Sequence, residues 1–204
     1  MSGIKPTLVT VLRHGQVNGR PFVYRGALDD PMTEQGAARV REIAERLAVP
    51  AFDRLASSPL VRCLDFAEAY AKESELPLDV LESMREMHFG AWEGLTPEEA
   101  ARLDPTHHDL FRGTAGKVGA PDGESVTDLR KRVSQGWEDW LADAKGGHRL
   151  LVTHAGVMRA LLMDLIGLDP GHAYRIALPE AAHFQVSILP GQPAILLNLN
   201  SCVG

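Results

Sequence analysis

Two unbroken runs of apolar and β-branched residues, Thr7 to Leu12 and Leu150 to Thr153, constrain the fold more than any other feature of the chain. Neither run alternates with polar residues, so each reads as a strand buried on both faces, as in a parallel sheet covered by helices above and below. With alternating strand and helix signals between them, the expected class is α/β. The expected architecture is a three-layer sandwich with a mostly parallel central sheet, helices on both faces and an antiparallel edge strand.

The intervening segments fill in that scheme. Val40, Ile43, Ala44 and Leu47 recur at helical spacing behind Thr33, an N-cap residue type, with Glu34 in the first turn. A short strand, Arg54 to Ser57, runs into Ser58-Pro59, which predicts Ser58 as helix cap and Pro59 as first helical residue, with Leu60, Leu64 and Ala67 on the buried stripe. A second stripe of Val126, Leu129, Val133, Trp137, Trp140 and Leu141 opens at the Ser125/Asp128 capping pattern, and a further helix follows Gly156. Ala182 to Leu189 and Ala194 to Leu199, split by Pro190-Gly191-Gln192-Pro193, read as strands at one side of the sheet. Glycines and prolines break all periodicity between Leu103 and Gly123, so one domain over residues 1–204 is expected to carry a loop-rich insertion at about 103–123, suited to covering a pocket.

The chemistry-bearing side chains fall at strand carboxyl ends. Arg13 and His14 follow the first run, Arg62 opens the helix after Ser57, and His154 follows the second run. In an open parallel sheet these ends share one edge, where ligands bind, and each strand-to-helix junction offers free backbone N–H groups to an anion. Arginine forks match phosphate oxygens in pairs, and a neutral imidazole whose other nitrogen is held by a carbonyl can accept a phosphoryl group. Two arginines and a cationic His154 are expected to supply the positive charge that other phosphoryl-transfer sites draw from a metal. No metal site is read from the sequence: His107 and His108 are adjacent and lack a third ligand at usual spacing.

Charge and composition narrow the partners. With 27 acidic against 21 basic residues the net charge is -6, which argues against a nucleic-acid footprint or an anionic membrane surface. Hydrophobic residues at 45% and charged residues at 24% suit a soluble globular protein. No apolar run has membrane-span length, and Met1 to Pro6 lacks the features of a signal peptide, so a cytoplasmic location is expected. Cys63 and Cys202 are too few for a disulfide framework and read as reduced, inert thiols.

The motifs LRHG at Leu12 to Gly15, SSPLVRC at Ser57 to Cys63, EMHFGAWEG at Glu86 to Gly94 and VTHAGVMR at Val152 to Arg159 resemble those of the histidine phosphatase, or phosphoglycerate mutase-like, superfamily. YRGALDDPMTEQG at Tyr24 to Gly36 and DGESVTDLRKRV at Asp122 to Val133 look like its linking segments. The resemblance implies His14 as phosphohistidine, with Arg13, Arg62 and His154 holding the phosphoryl group and Glu86 as proton donor, its carboxyl bordered by Phe89 and Trp92. Gly15, Gln16, Asn18, Arg25, Gly26 and Ala155 are the implied substrate-binding residues. Many members have Glu-Thr where Gln16-Val17 stands here, and Asn18 comes earlier than their asparagine.

The implied activity is metal-independent phosphomonoester hydrolysis of a small phosphorylated metabolite, without a cofactor and with a homodimer left open. The chain looks most similar to the α-ribazole phosphatases of cobalamin assembly, through its compact length, its YxG...PxTxxG segment and a closing LNLNS, which implies α-ribazole 5'-phosphate as substrate. The alternatives are a phosphoglycerate mutase or sugar-phosphate phosphatase of the same fold, and a non-catalytic phosphoprotein-binding domain.

Overall fold

The computed structural model describes residues 5–200; Ser201 of the closing LNLNS and Cys202 lie outside them. The chain runs β1 (Thr7–Arg13), α1 (Glu34–Leu47), β2 (Arg54–Ser57), α2 (Val61–Glu73), β3 (Leu78–Val80), α3 (Pro97–Leu103), α4 (Pro105–Gly113), α5 (Val126–Leu141), β4 (His148–Thr153), α6 (Ala155–Ile166), α7 (Pro170–Ala173), β5 (His183–Ile188) and β6 (Ile195–Asn200). Single turns of 3-10 helix cover Glu82–Met84 and Gly90–Trp92.

The six strands form one sheet in the order β3-β2-β4-β1-β5-β6. β1, β2, β3 and β4 pair in parallel, β5 runs antiparallel to β1, and β6 runs antiparallel to β5 at the edge. The mixed α/β architecture expected from the two apolar runs is therefore present, with two strands rather than one in the antiparallel part.

Strand alternation divides the core. Leu12, Leu55, Leu150 and Val152 point to the face covered by α1 and α2, where they meet Val40, Ile43 and Phe66. Val9, Val11, Ala56 and Leu151 point to the opposite face, against Val133, Trp137, Val157 and Leu161 of α5 and α6. The β1 and β4 residues in these sets are fully buried. At about 1.5–3 kcal/mol for each large aliphatic side chain removed from water, this central pair anchors the sheet.

Thr33 caps α1 by accepting from the Gly36 N–H at 2.9 Å, and Ser125 caps α5 by accepting from the Asp128 N–H at 3.1 Å. The start of α2 differs from the sequence reading. The helix begins at Val61, and its N-cap residue Leu60 gives no side-chain bond. Ser58 Oγ meets His154 Nε2 at 2.7 Å and accepts from the Leu60 N–H at 3.3 Å, one residue before the helix, while the Val61 N–H is capped from across a loop by Asp29 Oδ1 at 2.8 Å.

The expected 103–123 loop is also partly helical. Pro105 opens α4 behind Asp104, whose side chain accepts from the His107 N–H at 3.0 Å. Just before it, Thr96 and Glu99 form a reciprocal capping box on α3. In both helices proline stands in the first turn, where its missing N–H costs nothing. No helix among the described residues is long and apolar enough to cross a membrane.

Candidate active site

The register of the central strands builds the site. Arg13 pairs with Thr153, so the residues that follow, His14 and His154, emerge side by side from neighbouring strands, their ring centroids 5.3 Å apart. Ser57 pairs with Val152, which brings Ser58 and the first turn of α2 to the same edge. The sheet thereby gathers His14, Arg62 and His154, with Arg13 and Glu86 close enough to act on them or on one another through charge.

His14 is nearly buried, and its Nδ1 lies 2.8 Å from the Gly15 carbonyl oxygen. A carbonyl only accepts, so Nδ1 carries the hydrogen and Nε2 keeps its lone pair. Burial first, then the charges of Arg13 and Arg62, hold the ring well below the usual histidine pKa. The His14 ring is thus neutral at ordinary pH.

His154, fully buried at the N-terminus of α6, is held in the opposite tautomer. Its Nδ1 accepts from Arg62 Nε at 3.2 Å and its Nε2 lies 2.7 Å from Ser58 Oγ. Burial and the Arg62 charge push its pKa well below the usual value. The cationic His154 of the sequence reading is therefore replaced by a neutral ring, because burial beside arginines opposes a further proton.

Arg62 is almost completely buried and spends three of its five N–H donors on protein: His154, the Leu28 carbonyl at 2.6 Å and the Gly26 carbonyl at 2.8 Å. Two donors remain. Arg13 donates to the Leu178 carbonyl at 2.5 Å, and its buried Nε–H has no protein partner. Glu86 is half-buried. Its Oε1 accepts from the Met87 N–H at 2.8 Å and its Oε2 from the Gly156 N–H at 3.2 Å in the first turn of α6. A Cβ on Gly156 would lie 2.2 Å from Glu86 Oε1, so the carboxyl can keep this place only beside a glycine. Phe89 and Trp92 pack against the Tyr24 ring and, edge to face, against Phe111.

Of the remaining sequence-derived residues, Gly15 and Gly26 lend their carbonyls to His14 and Arg62, and Ala155 opens α6. Arg25 lies within electrostatic reach of His14 and Arg62 but is paired with Asp30. Gln16 and Asn18 are exposed and bond within the loop, Gln16 Oε1 accepting from the Thr33 hydroxyl at 3.3 Å and Asn18 Nδ2 donating to the Met32 carbonyl at 3.3 Å. Sequence reasoning missed Arg159, whose guanidinium lies 5.3 Å over the Tyr174 ring and senses Arg13 and Glu86 by charge. Its spacing of four from Ala155, on the same helical face, was the available signal.

A cavity of about 410 Å³ opens beside Glu86, lined also by Leu60, Ala27, Arg85, His88 and Arg132. Among the described residues no group of three or more His, Cys, Asp or Glu side chains is placed to hold a metal ion.

The sequence profile of the histidine phosphatase superfamily (branch 1) matches residues 9–200. The Bifunctional protein Rv2228c of Mycobacterium tuberculosis is 33% identical over 182 residues, 87% of this chain and 49% of that protein, so the chain spans about half the length of this relative. The "Probable phosphoglycerate mutase GpmB" of Yersinia pestis is 31% identical over 174 residues, covering 82% of this chain and 78% of its own. The alpha-ribazole phosphatase from Shigella flexneri shares the fold, with a TM-score of 0.83 at 22% identity over 96% of each chain.

Proposed function

The chain belongs to the histidine phosphatase superfamily, and on that premise we propose that it hydrolyses phosphomonoesters, without a metal, through a phosphohistidine at His14. The observation that carries this reading is the hydrogen bond from His14 Nδ1 to the Gly15 carbonyl, which leaves Nε2 bare beside Arg62 and His154.

Nε2 attacks the phosphorus of the ester. The P–N bond forms as the P–O bond to the leaving group breaks, and the departing alkoxide takes a proton from Glu86 and leaves as an alcohol. Water then attacks the phosphohistidine, passing a proton to the Glu86 carboxylate while the P–N electrons return to Nε2 and inorganic phosphate departs. Arg13, the two unspent donors of Arg62 and the N-terminus of α6 neutralise the phosphoryl oxygens, and His154 packs the nucleophile into place. The cavity beside Glu86 gives the leaving group its room.

The substrate in this reading is a small phosphorylated metabolite met in the cytoplasm, with α-ribazole 5'-phosphate first among candidates on the strength of the Tyr24 to Gly36 segment. The relation to GpmB favours phosphoglycerate mutase activity as the second reading. Comparing kcat/KM across phosphorylated nucleosides, sugars and glycerates, with and without a chelator, separates the two.

Acid quenching with labelled substrate tests the mechanism. The native enzyme is expected to hold acid-labile label and His14→Ala none, with hydrolysis of an aryl phosphate reduced by about three orders of magnitude or more. Full turnover by His14→Ala would overturn the reading, and tight phosphate-ester binding without label or turnover would make the chain a binding domain.

A further inference from the structure

Arg132, in the middle of α5, lines the cavity beside Glu86 and makes five hydrogen bonds around the segment that bears Glu86. Its Nη1 donates to the Ser83 carbonyl at 2.6 Å and the Arg85 carbonyl at 2.9 Å, and its Nη2 to the carbonyl of Glu86 itself at 3.1 Å. The other edge of the guanidinium grips Glu124 in two-point fashion, Nε to Oε1 at 2.6 Å and Nη2 to Oε2 at 2.8 Å. Glu124 reaches past Glu86 to its other side: its N–H donates to the His88 carbonyl at 2.8 Å, and its Oε2 accepts from the His88 N–H at 3.4 Å. The 121–124 turn lies directly on this stretch, for a Cβ on Gly90 would fall 2.1 Å from the Pro121 carbonyl and one on Gly123 2.8 Å from the His88 carbonyl. Residues 83–86 and 88 are thus clasped from both sides by one ion pair.

The Glu82–Met84 turn and the residues after it have no ladder of their own to fix them. Between β3 and α3 the backbone makes only single 3-10 turns, so the carbonyls of Ser83, Arg85 and Glu86 depend on outside donors. A planar fork satisfies three of them at once and sets the path of the backbone at Glu86. A lysine, a single point of charge, cannot reproduce this.

We infer that Arg132, locked by Glu124, is a positioning residue that holds the Glu86 carboxyl at the leaving-group side of the site. This rests on the proton-donor role given to Glu86 above. A displacement of about 1 Å in such a group costs about 100-fold in rate, and only where its proton is needed.

That dependence supplies the test. kcat/KM is measured for a dinitrophenyl phosphate, whose leaving group needs no proton, and for an alkyl phosphate, whose leaving group does, in the native enzyme and in Arg132→Ala, Arg132→Lys, Glu124→Gln and Glu86→Gln. The Arg132 variants are expected to lose about 10–100-fold on the alkyl ester and less than about 3-fold on the dinitrophenyl ester. Should Arg132→Ala fail to fold, Arg132→Lys and Glu124→Gln carry the same comparison. Equal losses on both esters, or none on either, overturn the inference. Glu86→Gln separates the two levels: if it shows no alkyl-selective loss the donor assignment itself falls, whereas alkyl-selective loss there but not in the Arg132 variants removes only the role of Arg132.

Discussion

The Nε–H of Arg62 donates to Nδ1 of His154 at 3.2 Å, so the arginine decides which imidazole nitrogen is bare. With Nδ1 accepting, the ring hydrogen sits on Nε2 and points to Ser58 Oγ at 2.7 Å. Charging the ring would set two hydrogens against each other across the Arg62 contact, in a place closed to water.

Ser58→Ala removes the oxygen acceptor of that Nε2–H, leaving it only the Cys63 sulfur at 3.7 Å, and takes from the Leu60 N–H its acceptor at 3.3 Å. Stability is expected to fall by about 1–3 kcal/mol, read as a lower urea midpoint at unchanged slope. An unaltered midpoint would refute the tautomer assigned to His154.

Two glycines near the site are expected to respond differently to alanine. At Gly156 the new methyl meets the end of the Glu86 side chain, which can swing aside, so Gly156→Ala should keep its melting temperature and lose about 10–100-fold in kcat on alkyl esters. At Gly15 the methyl would stand 2.3 Å from the Gly36 carbonyl oxygen, where both partners are backbone and cannot yield. Gly15→Ala should therefore lose stability as well, by about 1–3 kcal/mol. Thermal melts beside kinetics distinguish the two, and a destabilised Gly156→Ala with normal kinetics would contradict the placement of Glu86.

Asp29 caps a helix to which it does not belong. Asp29→Ala is expected to cost about 1 kcal/mol of stability, whereas Asp29→Asn, which keeps an acceptor oxygen, retains most of it. Equal melting of the two variants would mean that the Val61 N–H has another acceptor.

Acid should weaken the fold well before the carboxylates titrate. Burial holds His14, His148, His154 and His183 below the ordinary value of 6.5. Between those depressed values and 6.5 the unfolded chain binds more protons than the folded one, so stability is complete above the window and lost as pH falls through it. Each ring contributes up to about 1.4 kcal/mol per pH unit. Urea unfolding at pH 7.5 and pH 5.5 measures the sum, and equal midpoints would show these rings already charged in the folded state.

The strands β1 and β4 were legible because burial on both faces leaves an unbroken apolar run, and α1 and α5 because Thr33 and Ser125 cap their own helices. The start of α2 was not, since its capping oxygen comes from Asp29, 32 residues away in sequence. The helices α3 and α4 were hidden by Pro97 and Pro105, which look like breakers until Thr96 and Asp104 are seen as their caps. At the site, the strand ends announced His14, Arg62 and His154. The charge of His154 was not readable, because it depends on burial and on an arginine 92 residues earlier. Arg132 gave no local sign, its partners being carbonyls, which every residue has.

The alignment of Arg13 with Thr153 joins the first strand of the chain to one that arrives after most of it has been made. Such distant pairing closes slowly, and until it does the two imidazoles belong to separate pieces of polypeptide. An emerging or half-unfolded chain therefore has no phosphoryl chemistry to misdirect. Regain of turnover after dilution from denaturant would time the closing of that central seam.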